Sequence, residues 1–143
     1  MPARIAEATW NGTLQEGNGS MKGGSGGLNT AYTFKSRFEE GEAITNPEEL
    51  LGAAHAGCFS MALGARLGRA GFTVHHIHTK AHVHLEKGES GFAISRIDLV
   101  TEGKVDGIDA AAFAEHAEET KKTCIVSRAL SAVPMTVSAS LVD

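Results

Sequence analysis

Residues 45–71, TNPEELLGAAHAGCFSMALGARLGRAG, decide the fold. The start signals agree at their head: Asn46 offers a capping oxygen, Pro47 suits a first helical turn, and Glu49 stands three residues after the cap as a capping box requires. Glu48 adds negative charge where the helix dipole favours it. Leu50, Leu51, Ala54, Cys58, Met61, Ala62 and Ala65 recur at helical intervals, and Gly71 supplies a stop after Arg66 and Arg69. The spacing predicts a helix from Pro47 to about Ala70, roughly 36 Å long. Ala53, Ala54, Ala56, Gly57, Ala62, Gly64, Ala65 and Gly68 take up most of its circumference, so a central, mostly buried helix is expected. Each internal glycine costs about 1 kcal/mol of propensity against alanine, which close packing has to offset.

Downstream, the period changes from helical to alternating. From 76 to 86, Ile77, Thr79, Ala81, Val83 and Leu85 take one phase, while His76, His78, Lys80, His82, His84 and Glu86 take the other, which predicts a half-exposed strand. In GFAISRIDLV, Phe92 and Ile94 are in one phase and Ile97 and Leu99 in the other, predicting a bulge near Ser95 and Arg96. The two strands form an antiparallel hairpin across EKGESG. A second helix starts near Asp109, with Ala112, Phe113, His116, Ala117 and Thr120 as its inner side and Lys121 and Lys122 near its end. Thr123 or Ser127 then caps a short helix in CIVSRALS, Pro134 ends it, and MTVSASLV closes the chain as a strand with Met135, Val137, Ala139 and Leu141 inward.

Upstream, residues Ile5 to Leu14 read as a strand entering a turn at Asn11 and Gly12. The segment EGNGSMKGGSGGLNT holds six of the 17 glycines and reads as turns with at most one short edge strand, followed by a strand around Tyr32 to Phe38. Gly23, Gly24, Gly26 and Gly27 read as a plain loop rather than a phosphate cradle, because Lys22 precedes them and YTFKSRF reads as a strand where a helix would be needed. The order of elements, with no repeat or linker, describes one α+β domain over 1–143, an antiparallel sheet packed on helices.

With 143 residues, 42% of them apolar, the chain can bury a core without disulfide or metal staples. Its formal charge of −4 offers no general attraction for nucleic acid. No run of 18 apolar residues and no signal-peptide core occurs, so a cytoplasmic protein without membrane contact is expected. That setting makes a permanent disulfide between Cys58 and Cys124 improbable and leaves a transient one open.

Four groups of residues can carry chemistry. Cys58 on the Ala-rich helix is either a small core residue or a nucleophile. Cys124 is locally better placed for a thiolate, beside a helix start and Lys121 and Lys122. Two cysteines and an Arg suit a peroxidase cycle, though composition does not pair them. His55, three residues before Cys58, can bond its thiol or simply pack in the core. His76, His78, His82 and His84 share one strand face at a spacing feasible for zinc or copper, but a solvated face explains them as well, since no cysteine or carboxylate cluster completes the set.

FKSRFEEGEAITNPEELLGAAHAGCFSMALGARLGRAGF and TKKTCIVSRAL resemble the two signature regions of the OsmC/Ohr family of osmotically inducible and organic-hydroperoxide-resistance proteins, most closely its OsmC branch. The match runs from Trp10 through the last strand. It implies intertwined homodimers with sheets wrapped around long central helices, and thiol peroxidases that need no metal or other cofactor. Carried over by motif, Cys58 is the peroxidatic cysteine, Cys124 the resolving one, and Arg37 and Glu48 an ion pair at the thiolate. Ten residues of helix separate Glu48 from Cys58 by about 15 Å, so Arg37 has to bridge them or a second subunit has to supply one component. The implied partners are an organic hydroperoxide, and hydrogen peroxide as well, with a dithiol reductant such as a lipoylated protein. An apolar channel near Phe38, Phe59 and Met61 is expected to receive the alkyl group. A histidine metal-binding protein and a non-catalytic dimeric binding module are the alternatives.

Overall fold

Ten elements follow one another along residues 1–143, all of which the computed structural model describes: β1 (Ala6–Asn11), β2 (Asn18–Gly23), β3 (Asn29–Tyr32), α1 (Phe34–Phe38), α2 (Pro47–Arg69), β4 (Thr73–Gly88), β5 (Gly91–Asp106), α3 (Ala110–Thr123), α4 (Ile125–Ala129) and β6 (Met135–Leu141). They make an α+β fold divided into two compact units, Met1–Leu50 and Leu51–Asp143.

The first unit holds an antiparallel sheet in the order β1-β2-β3. The glycine-rich segment thus contributes the central strand, where the sequence predicted at most an edge. The reason lies in Gly19, opposite Trp10 and Tyr32, whose rings stand 5.4 Å apart. A Cβ on Gly19 would fall 2.4 Å from the Tyr32 ring and 2.8 Å from that of Trp10, so the bare backbone lets the two aromatics close over the strand. The strand expected at Tyr32 to Phe38 stops at Tyr32, and α1 follows. Thr33 and Ser36 form a reciprocal capping box, each side-chain oxygen accepting the other's amide at 3.0–3.1 Å, and this local bonding outweighs the aromatic strand preference.

In the second unit β4 and β5 pair along almost their whole length. The bulge predicted near Ser95 falls where the register shifts between His84 and Leu85, and a second shift, unforeseen, lies between Val74 and His76. The hairpin is tighter than expected, with only Glu89 and Ser90 between the strands. β6 runs parallel to β5, so the sheet β4-β5-β6 is mixed rather than antiparallel as the sequence reading had it. A parallel partner requires a crossover, which α3 and α4 supply. Phe59, Leu63 and Leu67 of α2, Ile97 and Leu99 of β5, Phe113 and Ala117 of α3, and Cys124 form the core.

α2 begins and ends as its sequence signals indicate. Asn46 accepts the Glu49 amide at 2.8 Å, and its side-chain nitrogen donates to the Ser36 carbonyl at 2.9 Å. The Glu49 carboxylate does not complete the capping box and instead accepts the Thr45 hydroxyl at 2.7 Å. Gly71, at φ 94°, closes the C-terminus with Phe72 N–H donating to Leu67 O. By length and composition α2 alone among the helices meets the criterion for crossing a bilayer, with a mean hydropathy of 1.2, a test that core helices also pass. The expected all-round burial is not found within one chain. Gly52, His55, Phe59, Leu63 and Leu67 form one buried stripe, while Ala53, Ala54, Gly57, Met61 and Ala65 are exposed. An added Cβ at Gly57, Gly64 or Gly68 would meet nothing within 4 Å.

Candidate active site

Two groups of candidate residues are built within separate units. In the second, α2 presents Cys58 one residue before the buried Phe59, and a single non-helical residue between α3 and α4 presents Cys124. Cys124, at φ −55° and ψ 131°, ends α3 and caps α4. Neither Thr123 nor Ser127, the expected caps, holds that position; Ser127 lies in the first turn of α4. The two sulfurs stand 3.1 Å apart in the thiol form, although 66 positions separate them in the chain.

Their surroundings differ. Cys124 is closed off at 1% exposure, whereas Cys58 is only partly buried. Burial pushes the Cys58 thiol up, the Val126 amide partly opposes this, and the Cys124 thiol pushes it higher, so Cys58 sits above the ordinary thiol range. For Cys124 burial is again the largest single influence. The neighbouring Ser127 amide, the Cys58 thiol, the Ser127 hydroxyl and the Val126 amide together outweigh it and hold the thiol below its ordinary value. The sequence reading of Cys124 as locally the more acidic thiol agrees with this direction, through these neighbours rather than through lysines: Lys121 and Lys122 are paired with Glu118 and Glu119 at 3.0 and 2.8 Å.

His55 does not serve the Cys58 thiol. It is fully buried, and its Nε2 lies 2.7 Å from Ser127 Oγ. No pattern in the sequence marks Ser127 as its partner, 72 residues away.

In the first unit, α1 carries Arg37 toward Glu48. Arg37 Nη2 donates to Oε1 at 2.7 Å and Nε lies 3.0 and 3.2 Å from the two carboxylate oxygens, which leaves Nη1 uncommitted. Glu48 is buried and Arg37 partly open. The guanidinium also stacks 5.4 Å from the Phe38 ring centre. Beside it lies a cleft of about 210 Å³ lined by Trp10, Leu14, Tyr32, Phe34, Arg37 and Phe38. The expected channel residues therefore part company: Phe38 lines this cleft, Phe59 is core, and Met61 lies 75% exposed on α2.

The histidine face does not converge. Across the sheet His76 faces Lys104, His78 faces Glu102 and His82 faces Asp98, while His84 bonds Asp98 at 2.9 Å; no three metal-donor side chains come together. That leaves the histidines without the donor set a zinc or copper site requires.

With two free thiols from α2 and the α3/α4 junction brought together in this α+β chain, comparison with known families gives a match to the OsmC-like protein model over residues 39–138. The chain belongs to the OsmC family. It is 50% identical over 127 residues to peroxiredoxin OsmC of Escherichia coli K12, covering 88% of each chain. Its fold is that of the organic hydroperoxide resistance protein OhrB of Bacillus subtilis (TM-score 0.75, 24% identity, 95% and 98% of the two chains). A Legionella pneumophila organic hydroperoxide resistance protein, OsmC, is similarly close in fold (TM-score 0.74, 22% identity, 98% of both chains).

Proposed function

We propose that this chain is a two-cysteine peroxidase that reduces organic hydroperoxides, and hydrogen peroxide as well, with Cys58 and Cys124 as its redox pair. The observation that carries the reading is the 3.1 Å separation of the sulfurs, which have only to close to about 2.05 Å to bond. Kinship with the Escherichia coli peroxiredoxin supports it.

In the cycle, the Cys58 thiolate attacks the outer peroxide oxygen, the O–O bond breaks, and the departing alkoxide takes a proton to leave as the alcohol. Cys58 is then a sulfenic acid. Cys124 attacks its sulfur, the S–O bond breaks, and water leaves as the disulfide forms. A dithiol, such as the dihydrolipoyl group of a lipoylated protein, restores both thiols by exchange.

Cys58 is assigned the first step although Cys124 is locally more acidic, because a peroxide can reach a partly exposed sulfur and not one closed off at 1% exposure. Arg37 is assigned to stabilise the thiolate and the developing alkoxide through its uncommitted Nη1, with Glu48 holding the fork. The aromatic cleft beside Arg37 suits an alkyl group, each buried methylene contributing about 0.8 kcal/mol. We assign residues 1–143 to a single functional domain acting as an intertwined homodimer. The open Gly57, Met61 and Gly64 face of α2 supports this, since small residues let a second helix approach closely.

Intact-mass measurement after one equivalent of organic hydroperoxide tests the assignment. The parent protein should lose two hydrogens, Cys58→Ser should not react, and Cys124→Ser should gain one oxygen. Peroxide consumption by Cys58→Ser at the parental rate overturns it, and the reverse pattern exchanges the two roles.

A further inference from the structure

His55 is a buried titratable group for which the cycle above has no use. Its ring is wholly enclosed in the core stripe of α2, where a plain apolar side chain would pack at no polar cost. Nε2 lies 2.7 Å from Ser127 Oγ, whereas Nδ1 has no hydrogen-bond partner at all. Ser127, itself 3% exposed, lies in the first turn of α4 three residues after Cys124, and its hydroxyl is among the groups that hold the Cys124 thiol below its ordinary value.

We infer that His55 is a positioning residue for the resolving thiol, acting through a directed chain in which His55 Nε2–H donates to Ser127 Oγ and the Ser127 hydroxyl donates to the Cys124 sulfur. The inference rests on the reading of Cys124 as the thiol that closes the disulfide.

The direction of the chain follows from the orphaned nitrogen. A neutral imidazole carries one hydrogen. Placed on Nδ1, it would be a buried donor without an acceptor, a rarer and costlier defect than an unused lone pair. The hydrogen therefore sits on Nε2, and Ser127 Oγ accepts it. The Ser127 hydrogen is then free to point at sulfur, the arrangement that favours a thiolate over a thiol. Burial lowers the affinity of His55 for a second proton, which keeps the ring neutral and the chain in one direction.

In the cycle the effect falls on one step. The proton shed by Cys124 passes to solvent, the thiolate attacks the Cys58 sulfenic sulfur, and the hydroxide displaced from that sulfur takes up a proton and leaves as water. His55 and Ser127 end the step unchanged. The other titratable groups on α2 are Cys58, 3.1 Å from the Cys124 sulfur, Glu48 and Glu49 at its start and Arg66 and Arg69 at its end; on α3 they are Glu115, His116, whose Nδ1 accepts from Arg66 Nε at 3.3 Å, and Lys121 and Lys122, engaged by Glu118 and Glu119; on α4 there is the exposed Arg128. The protein can be read without them by comparing variants in which only the chain is changed.

The test uses a Cys58→Ser background, in which Cys124 is the sole thiol, titrated by thiolate ultraviolet absorbance without peroxide. Ser127→Ala should raise the midpoint by about one pH unit, a tenfold loss of thiolate near neutrality, which is the scale of one charge-assisted hydrogen bond. His55→Leu should do nearly the same, while His55→Gln, which keeps an N–H donor, should restore most of the shift. An unchanged midpoint in Ser127→Ala, or equal midpoints for the Leu and Gln variants, overturns the chain. Nitrogen NMR of the parent protein reads the tautomer without any His55 substitution: a hydrogen on Nδ1 also overturns it. Because no peroxide is present, failure here leaves the peroxidase assignment standing. Failure of that assignment in the mass experiment would leave this titration readable.

Discussion

Oxidation of the thiol pair should stabilise the protein by an amount that the chain itself sets. The sulfurs stand 3.1 Å apart, so a disulfide needs closure of about 1 Å and stores little strain. The bond would join residues 66 positions apart. In the chain-entropy model a loop of that size costs the unfolded state about 4 kcal/mol, with about 2–4 kcal/mol typical of real bridges. At about 2.1 cal/mol/K per residue of unfolding entropy, 143 residues give about 0.3 kcal/mol/K, so the melting temperature should rise by about 7–15 °C. Scanning calorimetry of the reduced protein, and of the same sample after one equivalent of tert-butyl hydroperoxide, measures it directly. Dithiothreitol should reverse the rise, and neither Cys58→Ser nor Cys124→Ser should show it. A parent protein that loses two hydrogens by mass yet melts no higher would refute the reasoning, because closure would then distort the native packing that the thiol geometry describes as ready.

Asp98 accepts the Thr136 hydroxyl at 2.7 Å, Arg96 at 2.9 Å and His84 at 2.9 Å, and these bonds, Thr136 foremost, hold its carboxyl down to about 2. A folded-state value below the unfolded one contributes stability that is full above about pH 4 and is lost as pH falls toward 2; carbon NMR titration should show Thr136→Val moving the carboxyl upward, and an unmoved value would remove Thr136 as the cause. Gly103→Ala should lose about 1–3 kcal/mol in urea unfolding, since its Cβ would lie 2.8 Å from the buried Phe113 ring, and an unchanged midpoint would mean that the core yields freely. Met61→Lys puts a charge on the open face of α2, where Met61 is 75% exposed, and should convert a dimer to monomers in sedimentation without lowering monomer stability. A dimer that survives the change would place the subunit contact elsewhere.

The parts of the fold written in short-range chemistry were legible. The Asn46 cap, the Gly71 stop, the alternation of β4 and the phase change at Ser95 each involve neighbours within a few residues. α1 was not, because Phe34 and Phe38 satisfy a strand pattern and a helical i, i+4 pair alike, and only the Thr33–Ser36 bonding chooses. The central position of β2 was hidden because the pair of rings over Gly19 comes from two other strands. The parallel course of β6 is invisible to periodicity, which fixes the faces of a strand and not its partner or direction. At the site, individual residues stand out in the sequence and their connections do not: only family resemblance pairs Cys58 with Cys124, and His55 lies nearest a thiol in sequence but beside the Ser127 hydroxyl in space.

The single bent residue at Cys124 has one more consequence. Every helix opens with amide hydrogens that lack partners; Cys124 caps α4 without a side-chain hydrogen bond to its first turn, so the amides there act on the sulfurs as nearby dipoles, those of Ser127 and Val126 favouring the Cys124 thiolate. An anionic sulfur is stabilised by such dipoles, and a sulfur in a disulfide carries no charge for them to act on. In the proposed cycle, closing the disulfide therefore removes the charge that the open end of α4 favours, and reduction restores it.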